Sequence, residues 1–138
     1  MSEINKKSGF LPAYSMTEIL IVLCIIGILL LLVLPNQTTV VGQAKAIEAQ
    51  SMLNHLYGLQ KNYFFKNSKY GATLQDVGFE PSLTIDQGGQ AVYKIEIIES
   101  GVNSFKGRAT SLSDFDGDGV FNTWEIDDKK NLKEVIKD

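Results

Sequence analysis

One cysteine, one histidine and three prolines stand among 138 residues, and the first two scarcities each close off a class of chemistry. Cys24 is alone and lies inside an apolar run, so no intramolecular disulfide can form. His55 has no second histidine or cysteine with which to build a transition-metal site. Its place beside Leu56 and Leu59 reads as a surface or half-buried helix position. No nucleophile accompanied by an acid and a base is visible, and no glycine-rich phosphate loop, so no enzyme is expected. The formal net charge is −3 and the basic residues are scattered, which leaves no face for nucleic acid.

What the chain has is a long apolar run. Ile19 to Leu34 carries no polar side chain beyond Cys24, and Tyr14 to Thr17 extend it to the roughly 20 residues that span a bilayer. A secretory signal would end in a small-residue cleavage site; this run ends at Pro35-Asn36-Gln37. Lys6 and Lys7 precede it and the first basic residue after it is Lys45, a bias that puts the N-terminus in the cytoplasm and the rest beyond the membrane. At the mouth of the run stands one carboxylate, Glu18. On insertion scales a charge at a helix centre costs about 2.5–3.5 kcal/mol, less near the interface, and a cation partner offsets it.

The stretch Lys6-Lys7-Ser8-Gly9-Phe10-Leu11-Pro12-Ala13-Tyr14-Ser15-Met16-Thr17-Glu18, followed directly by the apolar run, resembles the class III signal of type IV pilins and type II secretion pseudopilins. The resemblance implies that a prepilin peptidase cuts after a small residue, methylates the new N-terminal amine, and leaves Glu18 fifth after the cut. That register puts the cut between Ala13 and Tyr14, with Ala13 in place of the usual Gly and Tyr14 in place of the usual Phe. Gly9-Phe10 offers the usual pair but leaves Glu18 out of register. The resemblance also implies that Glu18 meets the N-terminal amine of a neighbouring subunit. Pro35 falls where members of the family carry a helix-loosening proline, and its missing donor and ring clash support that role. The implied partners are identical or related pilin subunits in a homo-oligomeric filament, the prepilin peptidase, an inner-membrane assembly platform and membrane lipid. The implied location is a single pass through the inner membrane with the head periplasmic or extracellular. Surface pilus, secretion pseudopilus and DNA-uptake fibre stay open.

Beyond the membrane run, Thr38 to Lys66 lacks proline and sets Val40, Ala44, Ile47, Leu53, Leu56, Leu59 and Tyr63 at helical spacing. One long helix follows, residues 14–37 as its membrane half and 38–66 as its amphipathic half. Residues 67–89 read as a connection with a short helix over Leu74 to Val77. Strands are expected over Ala91–Glu99, Ser104–Thr110 and Val120–Ile126, with Gly101-Val102-Asn103 as a hairpin link. Lys129, Lys130 and Lys133 read as a solvated end. The expected fold is α+β and pilin-like: a cleaved leader at 1–13, a long N-terminal helix, and a small antiparallel sheet packed on it within the head at 67–138. A core of that size often recruits a metal or a disulfide.

Asp114-Phe115-Asp116-Gly117-Asp118-Gly119-Val120-Phe121-Asn122-Thr123-Trp124-Glu125 matches the twelve-residue calcium loop place by place. Asp114, Asp116 and Asp118 supply oxygens, Val120 a backbone carbonyl, Asn122 the ninth place and Glu125 the last, with Asp127 or Asp128 as alternatives to Glu125. Ca2+ is the expected ion, since it takes six to eight hard oxygens. Three converging carboxylates without a cation repel one another. Gly119 permits the sharp bend. The flanks are poor helices, so a structural staple is expected rather than an opening switch. Trp124 is expected to fill the core. Without a disulfide, the loop would close the C-terminal region, as some pseudopilins and related pilins do with calcium. The rival reading is an uncleaved, membrane-anchored calcium-binding module outside the cytoplasm.

Overall fold

A computed structural model of the chain describes residues 13–34 and 37–138 and divides it into two units that meet at Pro35 and Asn36. The first is helix α1, Met16–Val33, long and apolar enough to cross a membrane and exposed along its whole length. Helix α1 stops where the proline rule requires. Leu34 still donates its N–H to Leu30 O at 3.0 Å, but its ψ of 103° is extended, because the residue before a proline is excluded from the helical region. The single long helix expected from the sequence is therefore two helices. Pro35 itself lies outside the described residues.

The second unit begins with α2, Gln37–Asn67. Its buried positions are Ala49, Leu53, Leu56 and Gln60, spaced four, three and four apart, as one helix face requires. The expected stripe began too early. Val40 and Ile47 are exposed at 57% and 66%, and Ala44 is exposed as well, because the sheet covers only the later part of the helix. Gln60 is buried without penalty: its amide donates to Gly71 O at 2.9 Å and accepts from Gly71 N–H at 2.8 Å. Ser68, with φ of 54°, ends the helix in the left-handed conformation, and its N–H caps Phe64 O at 2.8 Å.

The expected short helix at Leu74 to Val77 is one hydrogen-bonded turn. Thr73 and Asp76 cap each other through side-chain to backbone bonds of 3.1 Å each way, but Gly78 at φ 73° turns the chain before a second turn can form. A short 3₁₀ turn, Ile85–Gln87, precedes the sheet.

Four strands run as an antiparallel meander: β1 Tyr93–Ser100, β2 Phe105–Ser111, β3 Thr123–Asp127 and β4 Leu132–Ile136. β2 alternates most clearly, burying Phe105, Gly107, Ala109 and Ser111 toward α2. Two of these are the smallest residues available, and the reason is contact: a Cβ on Gly107 would stand 2.7 Å from Leu56 Cδ2. The expected third strand starts later than Val120, since Val120 and Phe121 are exposed and lie outside the sheet. Lys129, Lys130 and Lys133 are exposed, as a solvated end requires, but the end also forms a strand, β4, that was not expected. The Asp127 carboxylate takes the Lys129 and Asn131 backbone N–H groups at 2.9 Å each and the Asn131 side-chain amide at 2.8 Å, folding the chain back so that Leu132 pairs with Ile126. The strand escaped notice because only Leu132 is half-buried and the rest is an exposed edge. His55 is exposed and stands against Phe79 with ring centroids 5.6 Å apart.

The position of the buried stripe can be checked directly. Leu53→Ala removes a fully buried side chain and is expected to lower the unfolding free energy of the head by about 2–5 kcal/mol. Ile47→Ala is expected to change it by about 0.5 kcal/mol or less, as surface positions do. Denaturant titration of the full chain in detergent reads both, and equal losses would place the packed face too late in α2.

Candidate functional site

Two groups of carboxylates lie apart in the chain. The first is Glu18. Ala13 and Tyr14 precede α1, both exposed, and Ser15 is its N-cap in extended backbone. The Ser15 hydroxyl accepts the Glu18 N–H at 3.3 Å, and Glu18 Oε2 accepts the Ser15 N–H at 3.0 Å. This reciprocal pair is a capping box, and it satisfies amides that the start of a helix leaves without partners. Its sequence signal is the spacing Ser15-Met16-Thr17-Glu18, a hydroxyl residue three places before a glutamate. Glu18 also gains from the positive end of the helix dipole. Tyr14 and Glu18 line one concavity with Ile19, Val22 and Leu23, so both stand on one face. Among the described residues no basic side chain pairs with Glu18. The alternative cut at Gly9 and the basic residues Lys6 and Lys7 lie outside the described residues.

The second group is the link between β2 and β3. Asp114 Oδ1 and Oδ2 accept the N–H groups of Gly117 at 2.6 Å and Gly119 at 2.7 Å, so its carboxylate organises the bend. Both glycines have left-handed φ, 83° and 84°, which side-chain-bearing residues rarely adopt. Asp116 Oδ1 accepts from Asp118 N–H at 3.1 Å and Asp118 Oδ1 from Val120 N–H at 2.7 Å. Asp114, Asp116 and Asp118 come together with a fourth carboxylate, Asp138, their oxygens all within 4.8 Å of one another. Asp138 follows β4 and reaches back to accept the Phe115 N–H at 2.9 Å and the Asp116 N–H at 3.3 Å. Nothing in the loop spacing points to Asp138, which is brought to the loop by the course of β4.

The Asn122 and Glu125 side chains are engaged elsewhere. Asn122 is buried and accepts at Oδ1 from the Tyr93 hydroxyl and from Trp124 Nε1, each at 2.8 Å, while its amide donates to Glu134 at 2.6 Å and Ile136 O at 3.2 Å. Glu125 stands on β3 opposite Arg108 of β2, and its Oε1 accepts from that guanidinium at 2.6 and 2.9 Å. Asp127 holds the β3–β4 turn.

Electrostatics divide the acidic group. The hydrogen bond from Gly119 N–H, aided by those from other loop amides, holds the Asp114 carboxyl below its ordinary range against the opposing effect of desolvation. At Asp116 the bond from Asp118 N–H acts in the same lowering direction. Desolvation and the charges of Asp118 and Asp138 outweigh it and raise the carboxyl above its ordinary range. Four hard oxygen donors in one small volume suit a calcium-like cation and offer nothing to a soft metal.

No protein-family model matches the chain. Over 82 residues it is 30% identical to the type IV major pilin protein PilA of Myxococcus xanthus (strain DK1622), a match that takes in 59% of this chain and 36% of that protein. The chain thus spans little more than a third of that relative's length.

The Tyr93–Asn122 contact carries a pH signature. Burial pushes the Tyr93 phenol up to about 12, with the negative charges of Glu134, Glu48 and Asp138 adding to it. The neutral phenol is the form the fold favours. Its contribution is whole below the unfolded value of about 10 and is lost as pH rises through about 12. Tyr93→Phe is therefore expected to flatten the fall in melting temperature across that window, and an unchanged slope would contradict the assignment.

Proposed function

We propose that the chain is a structural subunit of a type IV pilus-like filament, not an enzyme, processed between Ala13 and Tyr14 and assembled through α1. The observation that carries this reading is Glu18 on the same face as Tyr14, at the mouth of an exposed and otherwise uncharged apolar helix. The similarity to a type IV major pilin supports it and favours a pilus over a secretion pseudopilus. Exposed, non-helical Ala13 and Tyr14 suit a peptidase that needs extended chain. Cleavage creates an amine at Tyr14, which the same peptidase methylates. The Ser15 cap already holds the Glu18 carboxylate at the N-terminal end of the helix, where a neighbour's amine can reach it. An ion pair there is worth several kcal/mol at an effective dielectric constant near 20, and a carboxylate left alone in lipid opposes packing. In this account α1 packs in the filament core, Pro35 loosens the chain on extraction from the inner membrane, and the assembly platform delivers subunits with their heads outward.

Calcium has a separate role in the same proposal. Asp114, Asp116, Asp118 and Asp138 would hold the ion and damp their mutual repulsion, so that the loop and β4 stay folded outside the cell. Glu125 is engaged by Arg108, which favours Asp138 as the closing carboxylate.

Two measurements test these claims. Glu18→Ala is expected to cut filament yield by about tenfold or more, the factor that 1.4 kcal/mol sets, while membrane insertion persists; wild-type yield would defeat the assembly role. Terbium luminescence of the full chain in detergent should show tight binding that Asp114→Ala abolishes and Asp138→Asn weakens by about tenfold, with Glu125→Gln within about twofold of wild type. Abolition by Glu125→Gln would restore Glu125 as the closing ligand.

A further inference from the structure

The first turns of α2 stand away from the sheet. Between Gly42 and Gln50 the helix faces a cavity of about 300 Å3, with Trp124, Glu134 and Lys137 on the opposite wall. The buried stripe begins only at Ala49. Outside that cavity, Glu48 ties the helix to the chain before β1, its Oε1 accepting the Val92 N–H at 3.2 Å. The cavity itself is bridged by Phe115, the residue between the first two aspartates of the acidic loop.

The Phe115 ring lies on Gly42. A Cβ on that glycine would stand 3.4 Å from Phe115 Cγ and 3.5 Å from its Cβ, ordinary van der Waals distances, so the ring lies directly against this turn of α2. Phe115 is in turn held by Asp138, which takes its N–H at 2.9 Å. A continuous line of contacts therefore runs from the end of β4, through Asp138 and Phe115, to the part of α2 that lacks a core of its own.

We propose that Phe115 and Asp138 form a strap that fixes the first turns of α2 to the head, making Phe115 a positioning residue for the helix segment that follows Pro35. The contacts of the strap are all between protein atoms. Where the acidic loop takes one, an arm that rests on the calcium reading above, Asp138 belongs to both and passes the ordering of the loop to α2.

Amide hydrogen exchange on the full chain in detergent tests this. In Phe115→Ala, amides 43–48 are expected to exchange about tenfold faster than in wild type, with a smaller rise in Asp138→Asn and recovery toward wild type in Phe115→Leu. Amides 105–111 of β2 should not change. Wild-type exchange at 43–48 in Phe115→Ala would overturn the proposal. Equal acceleration in β2 would also overturn it, because Phe115 would then be an ordinary core residue. Added calcium should slow 43–48 in wild type and leave Phe115→Ala unaffected. Calcium that binds, by the terbium signal, without slowing these amides would overturn the coupling. Absence of binding would count against the calcium reading alone, with the metal-free comparison still deciding the strap.

Discussion

The head is built on the close approach of α2 to β2, where Leu56 packs over Gly107. A helix can come that near a strand only where the strand offers no side chain, and β2 offers a glycine and an alanine at alternate positions on its buried face. Leu53, Leu56 and Ile126 close around that contact, fully buried. Each contributes about 1.5–3 kcal/mol of apolar burial. The rest follows from the strand it holds. β1 and β3 pair on either side of β2, and the β2–β3 link is presented as the acidic loop. The Gln60–Gly71 bonds then fix the chain as it leaves the helix.

Much of this was legible in residues, and the misses share a cause. Strands β1 and β2 were readable because one face of each is covered, at Tyr93 and Ile95 on β1 and at alternate residues along β2, so alternation reports a real face. β4 was not, because an exposed edge strand has no face to report. Its one local sign was Asp127 four residues before Asn131, a turn chemistry that charge counting hides. The stripe on α2 was readable from Leu53 onward. It was misplaced earlier because Val40 and Ile47 are apolar without being covered, and periodicity does not distinguish a core face from an exposed one. Pro35 marked the boundary between the two helices through its effect on Leu34.

The candidate site shows the same pattern. Asp114, Asp116 and Asp118 converge as their spacing within one turn dictates. Asn122 and Glu125 are engaged by the sheet region instead, Asn122 buried just before β3 with Tyr93 and Trp124 as donors to it, Glu125 on β3 paired across to Arg108. A linear motif assumes a helix after the loop to bring its last glutamate round; here a strand follows, and the fourth carboxylate of the group comes from beyond β4. Both acidic features pose one physical problem, negative charge gathered where water or cations are needed to hold it. At Glu18 the chain answers with a helix cap, and in the head with backbone amides turned toward the carboxylates.

The central claim is that Glu18 is fitted to an amine that cleavage before Tyr14 creates. The most direct check is the mass of the N-terminal peptide of the protein purified from native membranes. The account predicts a chain that begins at an N-methylated Tyr14. An intact chain that still carries the leader through Ala13 in assembled material would contradict it and leave an uncleaved, membrane-anchored module in its place.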